Sequence, residues 1–358
     1  MNIALPLLNG DNLITHSRSS SFRMCPRRHH YEYNLGIRTS GQANYYRIGH
    51  AIHAGLDARA RGSSIEDSLV IALSSYDVSS DEIEYEKTTV VQLLCGYWWK
   101  WEQADVPNDI RVKEYHATEH AFEIPIRHPI TGRPTAQFMA AGKIDKIVVL
   151  GDERTAVMEH KTTSSDISPT SDYWKRLQIE QQISMYVLAA REEGWEVKTV
   201  LYDVIRKPTI EPKRIPLVDE NGAKIVLDRE GNRVMTKDGK KPRETSDKEL
   251  GYEMQTRPET LDEWESRLFE DIHNNLDKYY QRQEIVRLDS DIDEFREELW
   301  SISQQISDAR NINHHWRNTG ACIQRTVCPY LDVCKQGFDA STGIPQGFRQ
   351  TKSIHEEL

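Results

Sequence analysis

No run of this chain approaches the roughly 18–20 consecutive apolar residues that a membrane-spanning helix needs. No G-x(4)-G-K-[ST] occurs, which excludes a P-loop nucleotide motor. The N-terminus, MNIALPLLNGDNLITHS, lacks a basic leader region and a small-residue cleavage site, so a cytoplasmic protein is expected. An excess of basic charge is also missing. The net charge of −10 argues against a protein that coats nucleic acid indiscriminately. It leaves open an enzyme whose own carboxylates gather a cation. Cysteine is scarce, and five in a chain without an export signal make a poor disulfide framework. What remains is ordinary globular material: 358 residues, 28% charged and 8% aromatic, enough for one large domain or two modest ones.

Helical spacing starts near Ser19, with Phe22, Tyr31 and Tyr33 as anchors, and recurs in YRIGHAIHAGLDARA, where Ile48, Ile52 and Leu56 form one stripe. Residues 65–104 also read as helical, ending in the Trp-rich CGYWWKWEQ. From Lys113 the period changes to two. EYHATEHAFEIPI, AQFMAAGKIDKIVVL and TAVMEHKTT read as an antiparallel meander joined at HPITGRP and GDER. DYWKRLQIEQQISMYVLAAREEG then reads as one helix stopped by Gly194, and VKTVLYDVIRKP as a further strand stopped by Pro208. Strands flanked by helices predict an α/β or α+β core. Residues 209–258 break the pattern. Asn221-Gly222, Glu230-Gly231 and Asp238-Gly239 mark turns, predicting an inserted polar ribbon or mobile loop with the basic run KDGKKPR near its end. Thr260 and Glu263 are spaced as a capping box opening a helix, and 292–310 predicts another.

Within VMEHKTT, Glu159 and Lys161 share one face of a strand and His160 the other. Two explanations fit a carboxylate and an ammonium on a core strand: a salt bridge, or a metal site with a neighbouring lysine. The second gains from Asp145, which a turn at Gly151-Asp152 would bring beside Glu159. Two carboxylates on adjacent strands offer hard oxygen ligands to Mg²⁺ or Mn²⁺. Such an ion polarises a phosphodiester and acidifies water, and Lys161 could place that water or steady the charged phosphate.

Asp-x(13)-Glu-x-Lys, preceded by Gly142 and followed by Thr162, resembles the PD-(D/E)XK nuclease superfamily in its RecB-like branch. The resemblance implies a restriction-endonuclease-like α/β core, with a central mixed sheet of about four or five strands flanked by helices. It makes Asp145, Glu159 and Lys161 the metal and catalytic residues. Gly49 with His53 resembles the branch's upstream helix and implies His53 as a further metal ligand, ahead of His50. Gln182 and Tyr186 match its Gln-x-x-x-Tyr motif. Glu119, with Phe122, matches an acidic position near the metals.

Cys25 near one end, with Cys322, Cys328 and Cys334 near the other, resembles the iron–sulfur members of the branch: AddB, the CRISPR-adaptation exonucleases and related phage enzymes. That resemblance implies a [4Fe–4S] cluster, with zinc as the alternative occupant, clamping residues 1–40 to 311–336 in one nuclease domain spanning 1–358. The C-x(5)-C-x(5)-C spacing departs from the short gap common in that branch. Cys95 lies in an apolar helix and reads as core.

The functional expectation is a metal-dependent deoxyribonuclease of phage or bacterial type. It would be an exonuclease acting on linear ends or single strands, alone or beside a separately encoded recombination protein. Arg27, Arg28, Arg206, Lys207 and the KDGKKPR run are candidate DNA contacts, and Tyr173, Trp174 and Tyr186 candidate base-stacking groups. The alternatives are an endonuclease on the same fold and a catalytically silent Fe–S DNA-binding module.

Overall fold

Two long alternating segments, Val112–Arg127 (β2) and Pro134–Leu150 (β3), pair antiparallel over most of their lengths. The computed structural model describes residues 10–40, 44–76, 80–102, 105–324, 326–338, 343–356 and 358. The free edge of β3 carries two partners. Leu13–Ile14 (β1) runs parallel to Met139–Ala140, and Thr155–Thr163 (β4) runs antiparallel to Lys146–Val149. Between them β4 leaves β3, since its pairing to β3 ends at Met158 while its pairing to Thr199–Arg206 (β5) continues to Thr163. The β4–β5 pair is parallel, and Tyr280–Ile285 (β6) closes the sheet antiparallel to β5. The result is a mixed sheet of six strands flanked by helices, the α/β arrangement expected with one or two strands more.

Both faces of the sheet are covered. Ile147, Val157, Val200 and Val204 pack under Ile183 and Val187 of helix Gln181–Glu192, and against Phe295 and Leu299 of helix Asp289–Asn311. A second cluster joins helix Asn44–Ala60, through Ile52 and Leu56, to Leu93 and Leu94 of Asp81–Trp101 and to Trp264 and Leu268 of Leu261–Asn274. Each fully buried aliphatic side chain contributes roughly 1.5–3 kcal/mol, so these two layers hold the sheet's edges fixed around the site. Thr260 and Glu263 form the capping box that their spacing predicts.

Three elements differ from the sequence reading. The stretch 172–192 is two helices, Asp172–Leu177 and Gln181–Glu192, because the buried Arg287 guanidinium reaches in and donates to the carbonyls of Leu177 and Glu180. Residues 65–104 divide into Ile65–Leu73 and Asp81–Trp101. β6 was not foreseen, because YQRQEI carries mostly polar residues and owes its conformation to β5.

Residues 214–258 form short antiparallel pairs and bridges: Val218 with Lys224, Leu227 with Arg233, Met235 with Pro242, and Asp247 with Tyr252. Gly222, Gly231 and Gly239 sit at positive φ in the turns. Segments from the N-terminal and C-terminal parts of the sequence meet. Tyr31, Leu35 and Ile37 pack on Tyr330 and Val333, and the Tyr330 hydroxyl donates to the Ile37 carbonyl at 2.8 Å. Phe22, Tyr31 and Tyr33 are buried, as their spacing predicts. Among the described residues no helix is long and apolar enough to cross a membrane.

Candidate active site

The divergence of β4 from β3 creates the site. Asp145 lies on β3 where the two strands part, and its carboxylate takes up the backbone N–H of His160 at 2.9 Å, a donor that β3 no longer satisfies. Glu159 and Lys161 stand on the facing strand. Lys161 Nζ donates at 2.6 Å both to Glu159 Oε1 and to Gln182 Oε1. Gln182 passes the chain on through its amide, 2.8 Å from the Tyr186 hydroxyl. The two share a helix face at i, i+4, so the second layer of the site comes from one turn of Gln181–Glu192. Two glycines stand at close approaches, the tighter at Gly142. A Cβ on Gly142 would stand 2.7 Å from the Phe122 ring, and one on Gly49 would stand 3.0 Å from Thr162 Oγ1.

Burial dominates the electrostatics of the site. Glu159 is 2% exposed, and its Oε2 has no hydrogen-bond partner. Burial, and then the neighbouring Asp145 charge, raise its carboxyl from 4.5 to about 8. Burial also pushes Asp145 upward, but His53, His160 and Lys146 outweigh it and leave that carboxyl below its usual range. Burial lowers Lys161, yet Glu159 and Asp145 more than compensate and keep the ammonium charged.

His53 Nδ1 lies 3.7 Å from Asp145 Oδ2, and burial lowers its imidazole against the pull of Asp145. A cleft of about 880 Å³ opens beside these groups, lined by His50, His53, Glu119, Lys143, Asp145 and Lys207 among others. The register sets Glu119 opposite Asp145 across the β2–β3 pair. It adopts φ +47°, a left-handed conformation rare for a residue with a side chain, and pairs with Lys143 at 2.5 Å.

Asp145, Glu159, Lys161, His53, Gln182 and Tyr186 are thus brought together, with Glu119 and Lys207 on the cleft. Arg206 is adjacent to Lys207, 3.8 Å from Asp166. Arg27 and Arg28 are held among the terminal helices instead. Arg27 donates to the His315 carbonyl at 2.6 Å, and Arg28 to Glu32 at 2.8 Å. Two stacking candidates are corrected: Trp174 is buried with its indole N–H on the Ile167 carbonyl, and Tyr186 is buried against Phe122.

Behind the strands lies a buried network whose members no sequence spacing connects. Lys146 Nζ lies 2.5 Å from His160 Nε2, and His160 Nδ1 lies 3.1 Å from Asp203 Oδ2. Tyr97 donates to Asp203, and Arg282 reaches both the Tyr97 hydroxyl, at 2.9 Å, and Asp203, at 3.4 Å. Asp203 is fully buried. Burial alone would raise it, but Arg282 and His160 hold it well below the usual carboxylate range. A lone carboxylate inside the apolar run TVLYDVIR was its signal.

At the termini, the Asn318 N–H points at Cys25 Sγ, 3.4 Å away, and Cys322 Sγ lies 3.9 Å from the Asn318 carbonyl. Burial raises the Cys328 thiol, and Cys25 and Cys322 are among the neighbours that act on it. Cys328 and Cys334 pack against the Tyr31–Tyr330 cluster. Among the described residues, no three His, Cys, Asp or Glu side chains are already gathered as a ligand set. The donor chemistry nonetheless fits. Glu159 Oε2 is an orphaned buried oxygen beside a second carboxylate, which suits a hard divalent ion, and the terminal cysteines are soft thiols drawn from both ends of the chain.

Among curated proteins, none matches this chain. Solved structures do. A candidate exonuclease from Eubacterium rectale is 8% identical, with a TM-score of 0.38 over 94% of this chain and 92% of its own. The protein SSO0001 is 15% identical, with a TM-score of 0.24 over 55% of this chain and 63% of its own. The model of the PD-(D/E)XK nuclease superfamily matches residues 13–335, so the chain belongs to that superfamily.

Proposed function

We propose that this protein is a metal-dependent deoxyribonuclease, an exonuclease hydrolysing phosphodiester bonds at linear ends or in single strands. The observation that carries the reading is the unpartnered, buried Glu159 oxygen beside Asp145, with Lys161 fixed between Glu159 and Gln182. Asp145 and Glu159 would hold Mg²⁺ or Mn²⁺, with His53 and Glu119 as further ligands at the cleft. A divalent ion there supplies Lewis-acid polarisation of the phosphodiester and acidifies the attacking water. The chain's own part is positional and electrostatic. Lys161 presents a fixed ammonium to the phosphate, Gln182 and Tyr186 fix its direction, and Lys207 with Arg206 meets the DNA backbone.

Incubation with linear and with covalently closed DNA, across a Mg²⁺ titration and with EDTA, tests the reading. Metal-dependent loss of the linear form alone is expected, absent in Asp145→Asn. Binding without cleavage in any metal would leave only a silent DNA-binding module, and cutting of the closed circle would make it an endonuclease.

Cys25, Cys322, Cys328 and Cys334 are proposed to hold a [4Fe–4S] cluster, with zinc as the alternative. The meeting of the two termini at Asn318 and the influence of Cys25 and Cys322 on Cys328 support this assignment. Such a clip would remove the loop-closure entropy of nearly the whole chain. A brown protein with broad visible absorption is the expected result on anaerobic purification. A colourless protein carrying stoichiometric zinc would select the other occupant.

A further inference from the structure

The strand that carries Glu159 and Lys161 continues to Thr163 on the same face. Beyond it lies a second cavity of about 650 Å³, separate from the cleft at His53 and Asp145. Its volume falls within the roughly 300–1,000 Å³ of small-ligand sites. Four hydroxyls line it, from Thr163, Ser165, Thr170 and Ser171, together with Tyr173 and Arg176. Ser171 Oγ is buried with no hydrogen-bond partner.

Two carboxylates also line this pocket, each beside a polar or basic neighbour at the surface. Asp166 accepts the N–H and the hydroxyl of Ser168, at 3.1 and 2.8 Å, and lies 3.8 Å from Arg206. Asp172 is paired with Lys175 at 2.6 Å. Arg176 has no such pair among the described residues. Its guanidinium lies 5.7 Å from the Tyr173 ring centroid. Burial raises the Tyr173 phenol, and Lys161 and Glu159 are among the charges that act on it, so the pocket adjoins the reactive pair.

A hydroxyl-rich wall, a guanidinium with no carboxylate partner among the described residues and the aromatic ring it lies against are groups that a nucleotide uses: donors for its phosphate and a face for its base. We infer that the pocket formed by Thr163, Ser165, Ser171, Tyr173 and Arg176 binds the nucleotide flanking the scissile phosphate of a single DNA strand. The inference rests on the nuclease reading above and specifies where its substrate lies. Tyr173 stacks on the base and Arg176 takes the phosphate, while the strand crosses the Glu159–Lys161 lip between this pocket and the larger cleft.

The test is the anisotropy of a short fluorescein-labelled oligothymidylate, titrated with the full-length protein in Ca²⁺. Tyr173→Ala and Arg176→Ala are each expected to weaken binding about tenfold, the size of one lost stacking or phosphate contact, and Tyr173→Phe to bind as the parent does. Thermal unfolding of each variant separates loss of contact from loss of fold. Unchanged affinity in both alanine variants, equal weakening in Tyr173→Phe, or no binding by the parent would overturn the assignment. Cleavage by the parent is assayed separately, so a protein that cuts DNA yet fails this test loses the subsite and keeps the nuclease reading.

Discussion

Lys161→Ala should lower cleavage of linear DNA by about a thousandfold, in line with the loss of a preorganised charged donor at a developing negative charge. The ammonium is held at 2.6 Å by two oxygens from different elements, Glu159 on its own strand and Gln182 on the helix above. A group fixed in this way needs no reorganisation when charge accumulates on the phosphate. The fold should survive. The side chain is 26% exposed and belongs to neither hydrophobic layer, and Glu159 already favours its neutral form without the lysine's help. Single-turnover cleavage together with thermal unfolding checks both halves. Cleavage equal to the parent's would remove Lys161 from the chemistry.

The second large effect is a linkage between protons and metal at Glu159. Its carboxyl is raised from 4.5 to about 8, so between those values the folded protein holds a proton that the unfolded chain has released. By linkage, the metal-free protein is most stable, as far as this group is concerned, below about pH 4.5, and this contribution is lost progressively up to about pH 8. An ion that takes the carboxylate must displace that proton. Apparent affinity for Mn²⁺ should therefore rise about tenfold per pH unit through this window and level off above it. Glu159→Gln should bind weakly at every pH and lose the slope.

Much of the site was legible because its determinants are local. A period of two places Glu159 and Lys161 on one face, the turn at 151–152 returns the strand beside Asp145, and i, i+4 spacing aligns Gln182 with Tyr186. What escaped was tertiary. The helix break at 178–180 depends on Arg287, far along the chain, capping two carbonyls. Strand β6 exists because β5 offers it an edge. Asp203 could be noticed as an oddity in an apolar run, but its partners Arg282, Tyr97 and His160 come from three other elements that no spacing rule connects. The same holds for Glu119, whose left-handed backbone opposite Asp145 follows from pairing and not from composition.

Calorimetric titration of Mn²⁺ into the metal-free protein at neutral pH, repeated in buffers of different ionisation enthalpy, bears most directly on the central claim that Asp145 and Glu159 together hold the ion. Binding is expected to release close to one proton per ion and to be strongly weakened in both Asp145→Asn and Glu159→Gln. Mn²⁺ binding of undiminished affinity in those two variants, or binding with no proton release, would contradict it.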